Sequence, residues 1–342
     1  MSSRAEASAP EERTGTRPLP LLAVSGLSID IAMAGRTTRV VDDVSFEIHD
    51  GEAVALVGES GSGKTMTALS ILGLLPRGAT ASGSIRFREQ QLAGLPESSL
   101  NRIRGKSIAI IYQEPMSSLN PALTVGEQIA ETVRHHLGLG RGAAKERAVE
   151  LLAMVGIPEP AARIHDYPHM FSGGMLQRVG IAMALSCEPA LLIADEPTTA
   201  LDATVQAQVL ELLASLRDKS RTSLLFLTHD FGAVAALCDR AVVMYCGEVV
   251  EVASAEALFD RPLHPYTEGL LGAMARLDRN TEPIPIKGTV PLHADFPEGC
   301  HFHPRCSYVV PACTIAPIAE IAVASRRVRC RRFRELNLKG SA

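Results

Sequence analysis

The sequence predicts an α/β protein: a parallel core sheet with an antiparallel β portion at its beginning, a helical region inside it, and a small loop-rich C-terminal part. Three observations predict it. Short, continuous apolar runs alternate with amphipathic helical stretches, the pattern of a sheet covered on both faces. A glycine-rich segment, Gly58–Thr65, stands between a buried run and a helix. After about Ala275 the texture changes to EPIPIKGTVPLHADFPEGCHFHPRC, proline-rich and without periodicity.

Taken in order, residues 1–20 are rich in small, charged and proline residues and are expected to form a disordered tail. From Leu21, LLAVSGLSIDIAM and RVVDDVSFEIHDGE read as hairpin strands leading into the buried strand AVALV. A helix is expected from Lys64 to about Leu74, ended by Pro76. Residues from about 115 to 185 are expected to be mainly helical, a subdomain without a long apolar strand. ALLIAD and SLLFLTHD each have the character of a strand buried on both faces. Between them, TVQAQVLELLASLRDKS carries apolar residues at Val205, Val209, Leu212, Leu213 and Leu216, one face of a helix. AVVMYCGEVVEVA reads as a closing hairpin turning at Cys246–Gly247. The expected division is a cassette over 21–275 and a cysteine-bearing C-terminal domain over 276–342.

Composition bounds the function. A 46% hydrophobic content supports a sizeable core, and the net charge of −4 argues against a general nucleic-acid binder. Aromatic residues are 4% and tryptophan is absent, so base-stacking platforms for a nucleic acid are scarce. No apolar run reaches the roughly 18–20 residues of a membrane helix, and the first residues lack the apolar stretch of a secretory signal. The chain is expected to stay in the cytosol and to meet a membrane only through partners.

Gly58-Glu59-Ser60-Gly61-Ser62-Gly63-Lys64-Thr65 fits GxxxxGK(S/T) in the strand–loop–helix context that this motif requires. Glycines let successive N–H groups point inward at phosphate oxygens, reinforced by the positive helix end. Lys64 is expected to contact the β- and γ-phosphates, and Thr65 to bind Mg²⁺. Asp195-Glu196, at the end of ALLIAD, places two carboxylates where ligands bind in α/β sheets. Asp195 suits the Mg²⁺, and Glu196 suits a general base acting on water. Ser172-Gly173-Gly174-Met175-Leu176-Gln177-Arg178 opens a further helix with a serine hydroxyl and flexible N–H groups, a second anion site.

With SGG-x-x-QR just ahead of the Asp-Glu pair, the chain resembles the ATP-binding cassettes of ABC transporters. The resemblance implies that two subunits sandwich two ATP molecules head to tail, Ser172, Gly173 and Gly174 reaching the γ-phosphate on the other subunit's phosphate loop. It also implies roles for Gln113 in IIYQEP (metal, water and coupling to the membrane partner) and for Asp202 after Leu201, at the dimer interface. His229 in FLTHD resembles the histidine that contacts the γ-phosphate. Two departures stand out. Members of this family stack an aromatic ring on adenine from the first hairpin, and IDIAMAGRTTRVV has none, leaving Ile31 or Val40 as substitutes. Leu176 replaces an arginine usual before Gln177-Arg178, a change expected to affect packing more than hydrolysis.

Four of the seven cysteines, Cys300, Cys306, Cys313 and Cys330, cluster near the C-terminus. In a reducing cytosol such a set suggests metal or iron–sulfur ligation before disulfides. Four thiolates ligate either Zn²⁺ or an iron–sulfur cluster; the tight C-x₂₋₄-C pairs of structural zinc are absent, and the wider gaps suit a larger cluster. Reduced structural cysteines are the third reading. Arg305, Arg326, Arg327 and Arg329 are near in sequence and are expected to balance thiolate charge.

Together with YQEPMSSLNP, RPLHPYT and GC-x-F-x-PRC, this segment resembles the ATPase subunits of dipeptide and oligopeptide importers over about residues 21–335. The resemblance implies a peripheral ATPase on the cytoplasmic face of the plasma membrane. Its cofactors would be ATP, Mg²⁺ and a [4Fe–4S] cluster, with Zn²⁺ the alternative. Its partners would be two transmembrane permease subunits, a second, non-identical ATPase and an extracytoplasmic binding protein, with no nucleic acid. Relatives with the same machinery move nickel, glutathione or other small solutes. A soluble ABC ATPase uncoupled from transport is a further reading, to which the single cassette and the acidic charge are contrary.

Overall fold

The apolar runs fold as strands because their residues have two cores to fill. In the computed structural model, which describes residues 19–33, 35–199, 201–274 and 283–341, the chain begins with β1 (Leu22–Met33), β2 (Arg36–Ile48) and β3 (Ala53–Val57). The phosphate-loop segment leads into α1 (Lys64–Ile71), followed by β4 (Ala79–Phe87), β5 (Gln90–Gln91), α2 (Glu97–Ile103) and β6 (Ile108–Ile111). The expected helix thus stops three residues early, where Leu72 closes its last turn and Gly73 turns left-handed. The helical part runs α3 (Pro115–Ser118), α4 (Val125–Leu137), α5 (Arg141–Met154), α6 (Pro160–Arg163) and α7 (Gly173–Leu185). Thr124 and Glu127 start α4 with a reciprocal capping box, which is why the chain enters the helix there.

The alternation resumes with β7 (Leu191–Asp195), α8 (Ala203–Ser220), β8 (Ser223–Thr228), α9 (Phe231–Leu237), β9 (Arg240–Tyr245) and β10 (Glu248–Ser254). After α10 (Ala255–Asp260) and α11 (Pro265–Gly272), the C-terminal part contains the short strands β11 (Ile321–Val323) and β12 (Arg326–Val328). The expected tail and the boundary near 275 fall largely on 1–18 and 275–282, outside the described residues.

Among the described residues the strands form two sheets, β2-β1-β4-β5 and β11-β12-β10-β9-β3-β8-β7-β6. The first is antiparallel, and in the second β9, β3, β8, β7 and β6 run parallel. The pleat distributes each central strand between two cores. Ala53, Ala55 and Val57 face the core shared with the helical part, whereas Val54 and Leu56 face the antiparallel sheet and α1. Leu192 and Ala194 likewise face one side, Leu191 and Ile193 the other. Both faces are covered, so these runs read as continuously apolar.

The C-terminal part joins the same architecture. β12 pairs with β10 through Glu251–Val328 and Val252–Arg327, and Phe302 is buried in the helical-side core. Glu251, fully buried on β10, accepts from the N–H groups of Leu263 and His264 and from Arg326, tying α11 and β12 to one carboxylate.

Candidate functional site: a phosphate loop, two carboxylates and a C-terminal brace

The parallel strands β3, β7 and β8 end side by side, so the loops that follow them converge. From β3 the chain wraps through Gly58–Gly63 into α1. Gly63 has φ of 101°, and a Cβ there would lie 2.9 Å from Val41 Cγ2, so glycine is required both for conformation and for space. At Gly58 a Cβ would collide with the Met244 carbonyl. Lys64 is 5% exposed; its Nζ donates to the carbonyls of Gly58 (2.7 Å) and Glu59 (3.2 Å) and lies 3.6 Å from Glu196 Oε1. Burial lowers the Lys64 ammonium, partly offset by Glu196 and Asp195. The Ser62 hydroxyl is buried and has no hydrogen-bond partner among the described residues, in a loop whose form suits phosphate oxygens.

Asp195 ends β7, and its Oδ1 accepts from the Thr65 hydroxyl at 3.2 Å. Burial raises the Asp195 carboxyl above its ordinary range, with Thr65 partly opposing. A buried carboxylate paired with a hydroxyl is a donor set that a hard divalent cation fits.

Glu196 adopts φ of 45°, a left-handed conformation for a non-glycine residue. Its carboxylate accepts from the Thr199 hydroxyl (2.9 Å) and Gln113 Nε2 (3.4 Å), and lies 3.4 Å from His229 Nδ1. Burial alone would raise this carboxyl; Thr199, Lys64 and His229 outweigh it and leave it below its ordinary range, hence ionised at neutral pH. Gln113, Lys64, Asp195, Glu196 and His229, chosen from dispersed motifs, are therefore brought together, and Thr199 is a member that the motifs did not reveal.

Ser172, Gly173, Gly174 and Asp202 are placed differently. The Ser172 hydroxyl caps α7 by accepting from Met175 N–H (3.4 Å), and Asp202 caps α8 by accepting from Thr204 and Val205 N–H at 3.0 Å. Among the described residues no hydrogen bond or ion pair joins these four to the phosphate loop or to Glu196. Leu176 is buried in the helical-side core, as its apolar character requires.

A second set of residues, missed from sequence, braces the phosphate loop from the C-terminal side. Arg305 donates to both Glu59 carboxylate oxygens at 2.6 and 3.0 Å and lies over the Tyr245 and Phe302 rings. The Tyr266 hydroxyl accepts from Glu59 N–H at 2.9 Å, and His264 caps α11 by accepting from Tyr266 N–H at 3.0 Å. RPLHPYT and PRC were the visible signals; their reach to the loop was not.

Cys300, Cys306, Cys313 and Cys330 line a single cavity together with His264 and Phe302. Among the described residues no group of three or more His, Cys, Asp or Glu is arranged so as to hold a metal ion. The arginines expected to balance these thiols are engaged elsewhere: Arg305 with Glu59, Arg326 with Glu251, Arg327 with Glu320 and Arg329 with Glu248. Each carboxylate offers a better-defined partner than a thiol, so proximity in sequence misled. Arg332 stands beside Cys306 instead.

This fold and site define a P-loop ATPase of the ABC cassette class. Residues 41–199 match the family described as ABC transporter, and residues 250–313 match the oligopeptide/dipeptide transporter C-terminal region. The chain is 49% identical over 319 residues to the oligopeptide transport ATP-binding protein AppD of Bacillus subtilis (strain 168), covering 92% of this chain and 97% of the relative. It is 45% identical to the dipeptide transport ATP-binding protein DppD of the same organism, covering 91% and 94%. Among solved structures it is similar to the dimeric ATP-binding cassette MJ0796 bound to ADP and Pi in a post-hydrolysis state (TM-score 0.62, 26% identity, 68% of this chain and 98% of the other). It is also similar to cbiO1 from Clostridium perfringens, part of the ABC transporter complex cbiONQ (TM-score 0.60, 26% identity, 70% and 91%). The chain belongs to the ATP-hydrolysing, ATP-binding subunits of ABC transporters, in the oligopeptide/dipeptide family. Among the described residues no helix is long and apolar enough to cross a membrane.

Proposed function

We propose that this chain hydrolyses ATP to energise import of di- or oligopeptides, from the cytoplasmic face of the plasma membrane. The observation that carries the catalytic part is the meeting of Lys64, Gln113, His229 and Thr199 on the one carboxylate of Glu196. N–H groups of Gly58–Thr65 and the Lys64 ammonium hold the β- and γ-phosphates. Thr65 and Asp195 would hold Mg²⁺, which when bound neutralises charge on those phosphates. Glu196 takes a proton from water as the water oxygen bonds to the γ-phosphorus, while the bond from that phosphorus to the β–γ bridging oxygen breaks, giving ADP and phosphate. His229 orients Glu196 and the γ-phosphate, and Gln113 links the carboxylate to the helical part. Glu196→Gln, in the complex assembled with permeases, should retain bound ATP and lose about 100-fold or more of its turnover; near-normal hydrolysis would refute the assignment.

Ser172, Gly173, Gly174 and Asp202 serve the ATP of a second, non-identical ATPase; their separation from this chain's own phosphate loop supports that reading. Two permease subunits dock on the helical part, where Tyr112, Met116, Tyr167 and Met170 are exposed and a cavity of 370 Å³ opens beside Tyr112 and Leu119. An extracytoplasmic binding protein delivers the peptide to those permeases.

The cysteine set is assigned a [4Fe–4S] cluster that orders the C-terminal part. Its support is the shared cavity and the Tyr308 N–H, which donates to Cys306 Sγ at 3.4 Å. Anaerobic purification with iron and sulfide analysis tests this; a colourless protein with one equivalent of zinc would replace the cluster.

A further inference from the structure

Next to the phosphate loop lies a cleft of 470 Å³ in which the C-terminal part meets β2. Its lining includes Val40 and the Cys246–Gly247 turn together with His293, Phe296 and His301. Three contacts fix its position. A Cβ on Gly61 would lie 3.9 Å from His293 Cε1, Val41 touches the Gly63 position, and Gly247 N–H donates to the Ser62 carbonyl at 3.1 Å. The three rings form a tilted staircase, with centroids 5.3 Å apart from His293 to Phe296 and 5.1 Å from Phe296 to His301. His301 is anchored, its Nδ1 being 3.0 Å from the Cys246 carbonyl oxygen and 3.6 Å from Glu248. His293 and Phe296 are each half-buried and so present surface to the cleft.

We propose that this cleft receives the purine base of the nucleotide, with His293 and Phe296 stacking on it and Val40 opposite. The inference rests on the reading that Gly58–Thr65 holds the triphosphate. It resolves the missing ring of the first hairpin: aromatic surface comes from the C-terminal part instead of β1–β2. Of the two aliphatic substitutes expected from sequence, Val40 lines the cleft, whereas Ile31 packs against the core beneath the antiparallel sheet. Nucleotide binding then depends on a segment outside the strands and helices that hold the phosphates, and bound nucleotide clamps that segment to the cassette.

The chain has no tryptophan, so His293→Trp introduces a single fluorescent reporter at the cleft. In the full-length protein, saturating ATP should change its emission, and inorganic tripolyphosphate should compete with ATP without that change. Phe296→Ala and His293→Ala should each raise the Kd for ATP about tenfold, in line with the loss of one base–aromatic stack, and leave the Kd for tripolyphosphate unchanged. ATP affinity unaltered in both alanine variants, equal loss for both ligands, or a silent tryptophan would overturn the proposal. Failure of tripolyphosphate to bind the native protein would instead overturn the phosphate-loop reading on which it stands.

Discussion

Replacing Arg305 by methionine keeps an apolar stem against Tyr245 and Phe302 and removes only the guanidinium. Arg305 is buried (its side chain is 5% exposed), and its two bonds to Glu59, at 2.6 and 3.0 Å, are charge-assisted. Such bonds contribute about 1.5–3 kcal/mol each. Two effects reduce the sum. Glu59 is 29% exposed and rehydrates when its partner leaves, and the desolvation of the guanidinium is no longer incurred. The expected net loss is about 2 kcal/mol, below the roughly 3–5 kcal/mol of a fully buried pair broken on one side. Urea unfolding of the full chain gives the stability, and a cycle with Glu59→Gln should give a coupling of about 1–2 kcal/mol. ATP affinity should fall several-fold at the same time, because the Glu59 backbone also donates to Tyr266 and accepts from Lys64. Additivity within about 0.5 kcal/mol, with unchanged ATP affinity, would refute the idea that this pair braces the loop.

Other substitutions separate fold from chemistry. Asp195→Asn keeps an acceptor for Thr65, so unfolding should shift by less than about 1 kcal/mol while Mg²⁺-dependent hydrolysis falls about 100-fold or more; equal losses in both would assign Asp195 to the fold. Gly174→Ala puts a Cβ 2.6 Å from Val205 Cγ1, and this overpacking should cost about 1–3 kcal/mol in urea unfolding, largely restored by adding Val205→Ala. Glu248 is held above the ordinary carboxylate range by burial, opposed by His301 and Arg329. Its contribution is therefore full below about pH 4 and is lost as pH rises through its raised value. The stability of Glu248→Gln relative to the native chain should accordingly grow with pH, by no more than about 1.4 kcal/mol per unit, and a pH-independent difference would count against a buried, raised carboxyl.

What could be read in the sequence, and what could not, divides along the range of the interactions. Gly58–Thr65, Asp195, Glu196 and His229 follow strands whose continuous apolar character reveals burial, and parallel strands bring the residues after them to one edge. Their convergence therefore followed once the strands were recognised. Thr199 was missed because a threonine three residues beyond Glu196 has no pattern of its own; only the left-handed turn at Glu196 brings its hydroxyl to 2.9 Å. Arg305 was misassigned for a different reason. Between Cys300 and Cys306 it looks like a counter-charge for thiolates, yet its partner lies 246 residues earlier in the chain. Local sequence cannot rank a near thiol against a distant carboxylate; packing does.

That distant pairing changes how the C-terminal part relates to ATP. Cys300, Phe302 and Cys306 line one cavity, and between the two cysteines Arg305 reaches away to Glu59. Phe302 packs against Tyr245 and Tyr266, with centroids 5.2 Å away in both cases, and Arg305 and the Tyr266 hydroxyl both hold Glu59. One seven-residue segment thus carries two of the thiols and, through Arg305, a grip on the phosphate loop. Loss of order at the cysteines would release Arg305 from Glu59 and remove Phe302 from beneath Tyr266, leaving Gly58–Thr65 without its brace. A C-terminal part that merely decorated the cassette could unfold without consequence for nucleotide binding; this one cannot, because its Arg305 is bonded to Glu59 inside the phosphate loop.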